Sequence, residues 1–266
     1  MMKPTLKIGL CLVICFTLIL GCGVSALNDT SISWYTVRNK EHKQPLLPLD
    51  LKIIEDYHGI YIDHSHRDFS GEKVVYLTFD AGYENGNVKK ILDILKEEKT
   101  PGAFFILGNL IQKNPELVRQ MTDDGHTVCN HTNHHKNMTS IDRIEAFQEE
   151  LVSLENMYQD ITGKELAKFY RPPEGRFDKR SLSFASQLGY TTVFWSLAYA
   201  DWDNDKQPSP EKALNLLMDY MHNGAVILLH PTSKTNTLIL KDLIQSLKHQ
   251  GYRFGTLDEL VKNIGL

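Results

Sequence analysis

Apolar positions along the chain change repeatedly between two spacings, and this change predicts an alternation of strands and helices. Residues Val74 to Phe79 form a run of β-branched and aromatic side chains, which is typical of a buried strand. From Val88 to Leu95 the apolar residues instead recur at helical spacing. The same change recurs along the chain and predicts further strands at 103–107, 126–130, 168–171, 191–196, 225–229 and 253–256.

Helix-capping and helix-breaking residues lie between these predicted strands. Pro115 follows Asn114 at the start of one helical pattern, and Gly125 ends that pattern. Ser140 is placed to cap a long helix, and Pro210 is placed to open another. These boundaries are those of helices that connect successive strands.

About seven strands joined mostly by helices predict an α/β fold with a parallel sheet. Several of the strands are apolar on both faces, which favours a closed or nearly closed barrel. We therefore expect a distorted parallel (β/α) barrel. In such a barrel the C-terminal ends of the strands surround one shared mouth, where functional side chains are found.

The first residues have the pattern of a targeting segment. Lys3 precedes an apolar run from Ile8 to Leu20, which is shorter than a membrane-spanning helix requires. Residues 1–26 are interpreted as a signal peptide or membrane anchor, and the only membrane contact is expected here. Val24-Ser25-Ala26 favours simple cleavage, whereas Cys22 leaves lipidation open. The protein is thus expected at the cell surface or on the cell-wall side of the membrane.

The remaining chain divides by composition. Residues 27–71 are mixed polar and aromatic and read as an N-terminal extension, and residues 72–266 contain the functional domain. A net charge of −4 gives no basic surface for nucleic acid. Only Cys129 lies outside the leader, so no internal disulfide is possible, and we expect it to be a small buried side chain. We expect a monomer.

Side chains with catalytic potential follow five of the predicted strands. Each has a purely structural reading when it is taken alone: a turn-forming aspartate, a surface arginine or a buried histidine. Their shared position at strand ends favours a common site instead. These residues are Asp80, His131, Arg171, Asp201 and His230.

His131 and His135 are four positions apart, so on a helical turn both imidazoles would project from one face. This spacing suits two ligands of one zinc ion. The alternative is a polar turn of surface histidines, because His134 lies between them. The spacing by itself leaves both readings open.

The other candidates suggest acid–base chemistry on a sugar. Arg171 precedes a rigid Pro-Pro pair and could hold a carboxylate in its ionised form. Trp202 follows Asp201, and an aromatic ring beside a carboxylate suits a carbohydrate site. His230 follows an apolar strand and could serve as a general acid.

Taken together, these segments resemble the polysaccharide deacetylases, the fourth carbohydrate-esterase family. The resemblance covers about residues 72–262. In detail, the chain is similar to the branch of the family that deacetylates N-acetylmuramic acid of peptidoglycan during muramic δ-lactam formation in spore cortex. Five segments match the motifs of this family in order: Thr78-Phe79-Asp80, His131 to His135, Arg171 to Gly175, Asp201-Trp202 and Leu228-Leu229-His230.

The resemblance implies the hydrolytic removal of acetyl groups from a peptidoglycan glycan strand. In this family's pattern Asp80 is the general base, and His230 protonates the leaving amine. Arg171 tunes Asp80, and Asp201 holds Arg171.

The resemblance also implies a metal and a substrate pocket. His131 and His135 are the expected ligands of a divalent metal, zinc or cobalt. The backbone N–H of Glu174 is expected to bind the oxyanion, and Trp202 and Leu228 are expected to shape the acetyl pocket.

One position departs from the family's pattern. Ala81 stands where the family usually has an aspartate that serves as the third metal ligand. Three outcomes stay open: an enzyme that binds its metal weakly, an enzyme that recruits Glu84, and an inactive carbohydrate-binding protein. A glycosidase with Asp80 and Asp201 as paired carboxylates is a further alternative.

Overall fold

The computed structural model describes residues 30–67 and 71–266. In these ranges the chain forms ten strands, which are β1 (Ile32–Ser33), β2 (Lys73–Ala81), β3 (Ala103–Ile106), β4 (Thr127–Asn130), β5 (Ala167–Tyr170), β6 (Arg176–Phe177), β7 (Thr191–Thr192), β8 (Leu197–Ala198), β9 (Ala225–Leu229) and β10 (Tyr252–Phe254). The helices in the same ranges are α1 (Val88–Glu97), α2 (Gly108–Lys113), α3 (Pro115–Asp123), α4 (Ile144–Thr162), α5 (Lys179–Gln187), α6 (Pro210–Asp219), α7 (Lys234–His249) and α8 (Leu257–Ile264).

Seven strands form one curled sheet in the order β7-β5-β4-β3-β2-β9-β8, and β10 pairs with the first part of β2. Every pairing in this sheet is parallel. Parallel neighbours require crossover connections, and most of these contain the helices. The predicted α/β fold, a distorted parallel barrel of about seven strands, is confirmed.

The sheet separates two apolar layers, and successive side chains of β2 point alternately into one layer and the other. Val75, Leu77 and Phe79 are fully or almost fully buried and pack with residues of α1, α3 and α7. Val74 and Tyr76 belong instead to a second cluster, formed by the other faces of the strands and by α8. Each fully buried side chain of this size contributes about 1.5–3 kcal/mol through removal from water.

The described part of the N-terminal extension completes the sheet between β7 and β9. The Ile60 N–H donates to the Thr192 carbonyl at 2.8 Å, and the Phe194 N–H donates to the Ile60 carbonyl at 2.7 Å. Two residues later, Ile62 forms an antiparallel bridge with Ala225. This segment therefore takes the place of a strand, a role that its mixed composition does not predict.

The structure also differs locally from the predicted elements. The long helix α4 begins at Ile144, because Ser140 lies in a 3-10 turn and its hydroxyl donates to the Asn137 carbonyl at 2.6 Å. The predicted strand 191–196 is interrupted between β7 and β8. The six-residue α2 has no separate signal in the hydrophobic pattern.

The predicted targeting segment, residues 1–26, lies outside the described residues. Across residues 30–67 and 71–266, the structure has no helix with the length and apolar character needed to cross a bilayer. Cys129 is fully buried in β4, which confirms its interpretation as a small core side chain.

Candidate active site

The parallel sheet brings the predicted catalytic residues to one edge. Asp80 is the second-last residue of β2, and His131, Arg171 and His230 each follow directly after β4, β5 and β9. Asp201 comes three residues after β8. Because β5, β4, β3, β2, β9 and β8 are successive neighbours in a parallel sheet, their C-terminal ends open into a single mouth.

Asp80 is held as a carboxylate by Arg171. The Arg171 Nη1 donates to Asp80 Oδ1 at 2.7 Å, and Oδ2 lies 3.6 Å from His131 Nε2. Burial raises the pKa of Asp80, but the charge and hydrogen bond of Arg171, together with the His131 and His230 imidazoles, outweigh that effect and leave the pKa below its usual value. An ionised carboxylate at the mouth of the barrel is able to accept a proton.

Arg171 itself has 0% exposure, and the fold accepts three further hydrogen bonds from its guanidinium. Its Nε donates to the Val193 carbonyl at 3.0 Å, and Nη2 donates to Thr78 Oγ1 at 2.9 Å and to the Phe194 carbonyl at 3.2 Å. The guanidinium carbon lies 4.0 Å from the centre of the Phe105 ring. A buried charge with this many partners is fixed in one orientation.

The interruption of the predicted strand 191–196 explains part of this arrangement. The carbonyls of Val193 and Phe194 bind Arg171 in the segment between β7 and β8. Sequence patterns do not report where a backbone carbonyl points, so these acceptors could not be predicted.

His131 and His135 are adjacent, but not through the predicted helical turn. Residues 131–137 form a loop, and His135 has a positive φ of 56°. The two imidazole rings nevertheless meet edge to face with centroids 5.1 Å apart. The predicted helical turn is therefore wrong, because a loop and not a helix brings the two histidines together. The predicted proximity of their rings is present.

The tautomer of His131 is fixed by the backbone. Its Nδ1 lies 2.8 Å from the Arg171 carbonyl, which can only accept, so Nδ1 carries the proton and Nε2 presents a lone pair to the mouth. Burial lowers the pKa of His131 to about 4, and the Asp80 carboxylate offsets only part of that effect. His131 is therefore a neutral imidazole at neutral pH, the form that binds metals.

Glu150 of α4 orders the loop that carries both imidazoles, and sequence reasoning missed it. Its Oε2 accepts from the His134 N–H at 3.0 Å, and its Oε1 lies 2.9 Å from His134 Nδ1 and 2.7 Å from Lys136 Nζ. The Asn133 N–H donates to the Glu150 carbonyl at 3.0 Å. His134 therefore helps to fix this loop. The signal in the sequence for Glu150 was a charged residue at a position of α4 that faces the core.

Asp201 binds His230, which corrects the expected contact between Asp201 and Arg171. His230 Nδ1 lies 2.7 Å from Asp201 Oδ1, and the His230 backbone N–H donates to Oδ2 at 2.7 Å. Burial lowers the pKa of His230, but the charge and hydrogen bond of Asp201 outweigh it and raise the pKa above its usual value. The proton on Nδ1 leaves Nε2 as the atom that exchanges a proton with substrate.

Asn236 of α7 completes this pair. Its Nδ2 donates to Asp201 Oδ2 at 2.6 Å and to the His230 carbonyl at 2.9 Å, and its Oδ1 accepts from the Tyr199 hydroxyl at 2.5 Å. Asp201 has 0% exposure and both of its oxygens are occupied. A glycosidase that uses Asp80 and Asp201 as free paired carboxylates does not agree with this geometry.

The three predicted substrate-binding residues lie around the mouth in different environments. Trp202 is 63% exposed, and its ring lies edge to face with the His230 ring at 6.4 Å. Leu228 is buried in β9, where it is the strand partner of Thr78. Thr78 lies two residues before Asp80 in β2. Glu174 has a positive φ of 58°, and its carboxylate binds the half-exposed Arg176 at 3.0 Å.

The positions of Ala81 and Glu84 show which side chains are available as a third metal ligand. Ala81 is fully buried in the helix-facing layer, which is the apolar layer that Val75, Leu77 and Phe79 form with α1, α3 and α7. The Glu84 carboxylate accepts from the Gly86 N–H at 2.8 Å and from the Val88 N–H at 2.9 Å, where it caps α1. Both oxygens of Glu84 are thus engaged at the helix start, which disfavours its recruitment as a replacement ligand.

The donor set fits a metal through its imidazoles. The backbone bond that orients the His131 ring is the kind of support that metal-binding histidines have. Among residues 30–67 and 71–266, no cluster of three or more His, Cys, Asp or Glu side chains is arranged to hold an ion. Two imidazoles give fewer protein ligands than catalytic zinc normally has.

The fold and this mouth define a deacetylase of the carbohydrate-esterase class. A family model described as polysaccharide deacetylase matches residues 68–193. The chain is 36% identical over 256 residues to the peptidoglycan-N-acetylmuramic acid deacetylase PdaA of Bacillus subtilis, with 95% of each chain covered. The chain belongs to the polysaccharide deacetylase family, whose members are generally metal-dependent.

Solved structures agree with this assignment. The structure of Bacillus subtilis PdaA, a family 4 carbohydrate esterase, superposes with a TM-score of 0.81 at 38% identity and covers 87% of this chain and 97% of that chain. A CE4 family pseudoenzyme from Bacillus anthracis has a TM-score of 0.68 at 28% identity, with 76% of this chain and 68% of that chain covered. The fold is thus shared by an esterase and by a pseudoenzyme.

Proposed function

We propose that the protein removes acetyl groups by hydrolysis from N-acetylated sugars of peptidoglycan, with N-acetylmuramic acid as the acetylated sugar. One observation carries the proposal: Asp80 and His230 lie at one mouth, and each is paired with a buried side chain of complementary charge, Arg171 and Asp201 respectively. The similarity to PdaA supports muramic acid as the substrate and muramic δ-lactam formation in spore cortex as the setting.

The two groups act in sequence on one acetamide. Asp80 takes a proton from a water molecule as the water oxygen attacks the acetyl carbonyl. Nε2 of protonated His230 then gives its proton to the sugar nitrogen as the C–N bond breaks. The products are acetate and a free amine, and Asp201 stabilises the imidazolium before the transfer.

Three further residues support this reaction. We assign the backbone N–H of Glu174 to the oxyanion that forms on the carbonyl, since a preorganised donor stabilises developing charge. Leu228 and Trp202 are assigned to the acetyl pocket. The positions of Leu228 beside Thr78 and of Trp202 beside His230 support that assignment.

His131 and His135 are the residues that would hold a divalent metal, with zinc or cobalt as the expected ion. When bound there, such an ion would supply Lewis-acid polarisation of a carbonyl and a lowered pKa of water. We expect weak binding, because Ala81 offers no ligand and Glu84 is committed to α1.

The partner of the site is the peptidoglycan glycan strand, and no nucleic acid is involved. We propose that the protein is an exported monomer on the cell-wall side of the membrane. The apolar run from Ile8 to Leu20 supports export, and any membrane contact would be made by this N-terminal segment.

A catalytically inactive carbohydrate-binding protein is the second candidate. Ala81 and the similarity to a CE4 pseudoenzyme favour it. The intact Asp80–Arg171 and Asp201–His230 pairs favour turnover instead, because a binding protein has no need of them.

Acetate release separates these readings. Peptide-free peptidoglycan is incubated with the protein, with and without added zinc or cobalt, and acetate, free amines and new reducing ends are counted. Equal amounts of acetate and amine, increased by metal, are expected. Binding without acetate would leave the carbohydrate-binding protein, and new reducing ends would indicate a glycosidase.

A further inference from the structure

Tyr83 is an exposed aromatic residue at the mouth to which the proposed reaction assigns no role. It comes three residues after Asp80 and is 45% exposed. A large apolar ring left in water beside a catalytic carboxylate contributes little to the core. Its position makes it available to a bound glycan.

Tyr83 is anchored through its hydroxyl, and its loop is braced at two further residues. Its hydroxyl accepts from Asn204 Nδ2 at 2.7 Å, which joins the loop after β2 to the loop after β8. In the same loop, Asn85 Nδ2 and Asn87 Nδ2 each donate to the Thr232 carbonyl at 2.8 Å. The ring is therefore presented by a braced loop, which lowers the entropy lost on binding.

The loop on the opposite side of this bond carries Asp201 and Trp202. Gln207 Nε2 donates to the carbonyls of Asp201 and Asp203 at 2.8 Å each, which closes this loop on itself. Trp202 lies against His230, and Asn204 lies two residues further along. Tyr83 is thus joined through Asn204 to the loop that carries Asp201 and Trp202.

We infer that Tyr83 is a substrate-binding residue whose ring packs on the sugar next to the one that loses its acetyl group. The inference rests on the proposed function, since it assumes a glycan in this mouth. The apolar C–H face of a pyranose fits the exposed ring of a tyrosine. Asn204 acts as a positioning residue, because its amide fixes the Tyr83 hydroxyl.

Substrate length distinguishes this role from a structural one. A residue that binds the neighbouring sugar affects oligosaccharides and leaves a single acetylated sugar unaffected. A residue that only braces two loops affects both substrates alike. The variants are Tyr83→Ala, which loses ring and hydroxyl, Tyr83→Phe, which keeps the ring, and Asn204→Ala, which releases the hydroxyl.

The measurement is acetate release from glycan oligomers and from the single N-acetylated sugar. For Tyr83→Ala we expect KM to rise roughly three- to tenfold on oligomers, with kcat and the single-sugar rate unchanged. Tyr83→Phe and Asn204→Ala should show smaller losses on oligomers. Tyr35→Ala is the matched control, because Tyr35 is also 45% exposed and its hydroxyl also bonds another side chain, Asp50, at 3.1 Å.

Two results would overturn the inference: oligomer kinetics equal to those of the unmodified protein, or equal losses on oligomer and single sugar. If the unmodified protein releases no acetate, the proposed function fails, but the role of Tyr83 in glycan binding can still be tested. Calorimetric binding of the same oligomers then decides, and an affinity unchanged by Tyr83→Ala rejects its role.

Discussion

At the residue scale, Asp80 and His230 show how burial and one neighbour set a protonation state. Both are removed from water, which by itself disfavours their charged forms. Arg171 leads the interactions that reverse that effect for Asp80, and Asp201 leads those that reverse it for His230. The fold therefore favours the ionised form of the base and the protonated form of the acid in one mouth.

Asp201→Asn is expected to shift the basic limb of the pH profile. The Asp201 carboxylate raises the pKa of His230, so the imidazole keeps its proton to higher pH. Without that charge the pKa of His230 falls, and kcat/KM for acetate release should decline at lower pH than in the unmodified protein. Asp203→Asn is the control on the same loop. A basic limb that stays in place would reject the role of Asp201.

Arg171→Met is expected to destabilise the fold by about 3–5 kcal/mol, because it leaves the buried Asp80 carboxylate without its partner. The free energy of unfolding in urea measures the change. Arg176→Met removes a cation from an exposed pair with Glu174, so its cost should stay within about 1 kcal/mol. Equal costs for both substitutions would contradict the importance assigned to the buried pair.

Ala81 shows what sequence alone predicts about a site and what it does not. Its inability to ligate a metal follows directly from the residue type. Its burial in the helix-facing layer, opposite to Asp80, follows from the alternation of side chains along β2. The partner of Asp201 could not be predicted, because which of two nearby cations it binds depends on backbone geometry.

At the element scale, the loop of residues 131–137 depends on α4. Glu150 binds the His134 N–H, the His134 ring and Lys136, and in this way it fixes the loop that carries His131 and His135. Burial raises the pKa of Glu150, but its hydrogen bonds to Lys136 and His134 outweigh that effect and keep it below its usual value. The carboxylate is therefore charged at neutral pH.

Glu150→Gln is expected to weaken zinc or cobalt binding roughly tenfold, as the loss of outer support for metal ligands does. The glutamine keeps the size of the side chain and loses its charge. Calorimetric titration with cobalt measures the affinity. Glu149→Gln is the matched control, because Glu149 is the preceding residue and is exposed. Equal affinities of the two variants would show that Glu150 does not support the ligands.

The sequence predicts an element correctly where one spacing of apolar residues persists along it. It does not predict an element's boundary where a side chain or a distant residue binds the backbone there. The strand at 225–229 is apolar throughout and coincides with β9. Ser140 has the residue type of a helix cap, but its hydroxyl binds Asn137 and the helix begins at Ile144. The break in 191–196 serves Arg171, a partner distant in sequence.

At the scale of the whole molecule, the extension is part of the barrel wall. Ile60 and Ile62 bridge β7 and β9, and the Trp34 ring stacks on Phe194 at 4.4 Å. Trp34 Nε1 also donates to the Trp195 carbonyl at 2.9 Å. These contacts lie beside the carbonyls that orient Arg171, so the extension supports the active site indirectly.

Trp34→Ala is expected to cost about 3–5 kcal/mol of unfolding free energy, since it removes a buried indole and leaves a cavity. Urea denaturation measures the cost. Trp202→Ala is the control for stability, because Trp202 is mostly exposed and should change the unfolding free energy little. A Trp34→Ala protein as stable as the control would mean that the extension is only loosely attached.

The central claim is that Asp80 and His230 act as base and acid on one acetamide, and acetate release from peptide-free peptidoglycan tests it most directly. The unmodified protein with added zinc or cobalt should release acetate, and Asp80→Asn and His230→Ala should each lower that rate by about 10²–10⁴ with the fold intact. Either variant at the unmodified rate would contradict the claim.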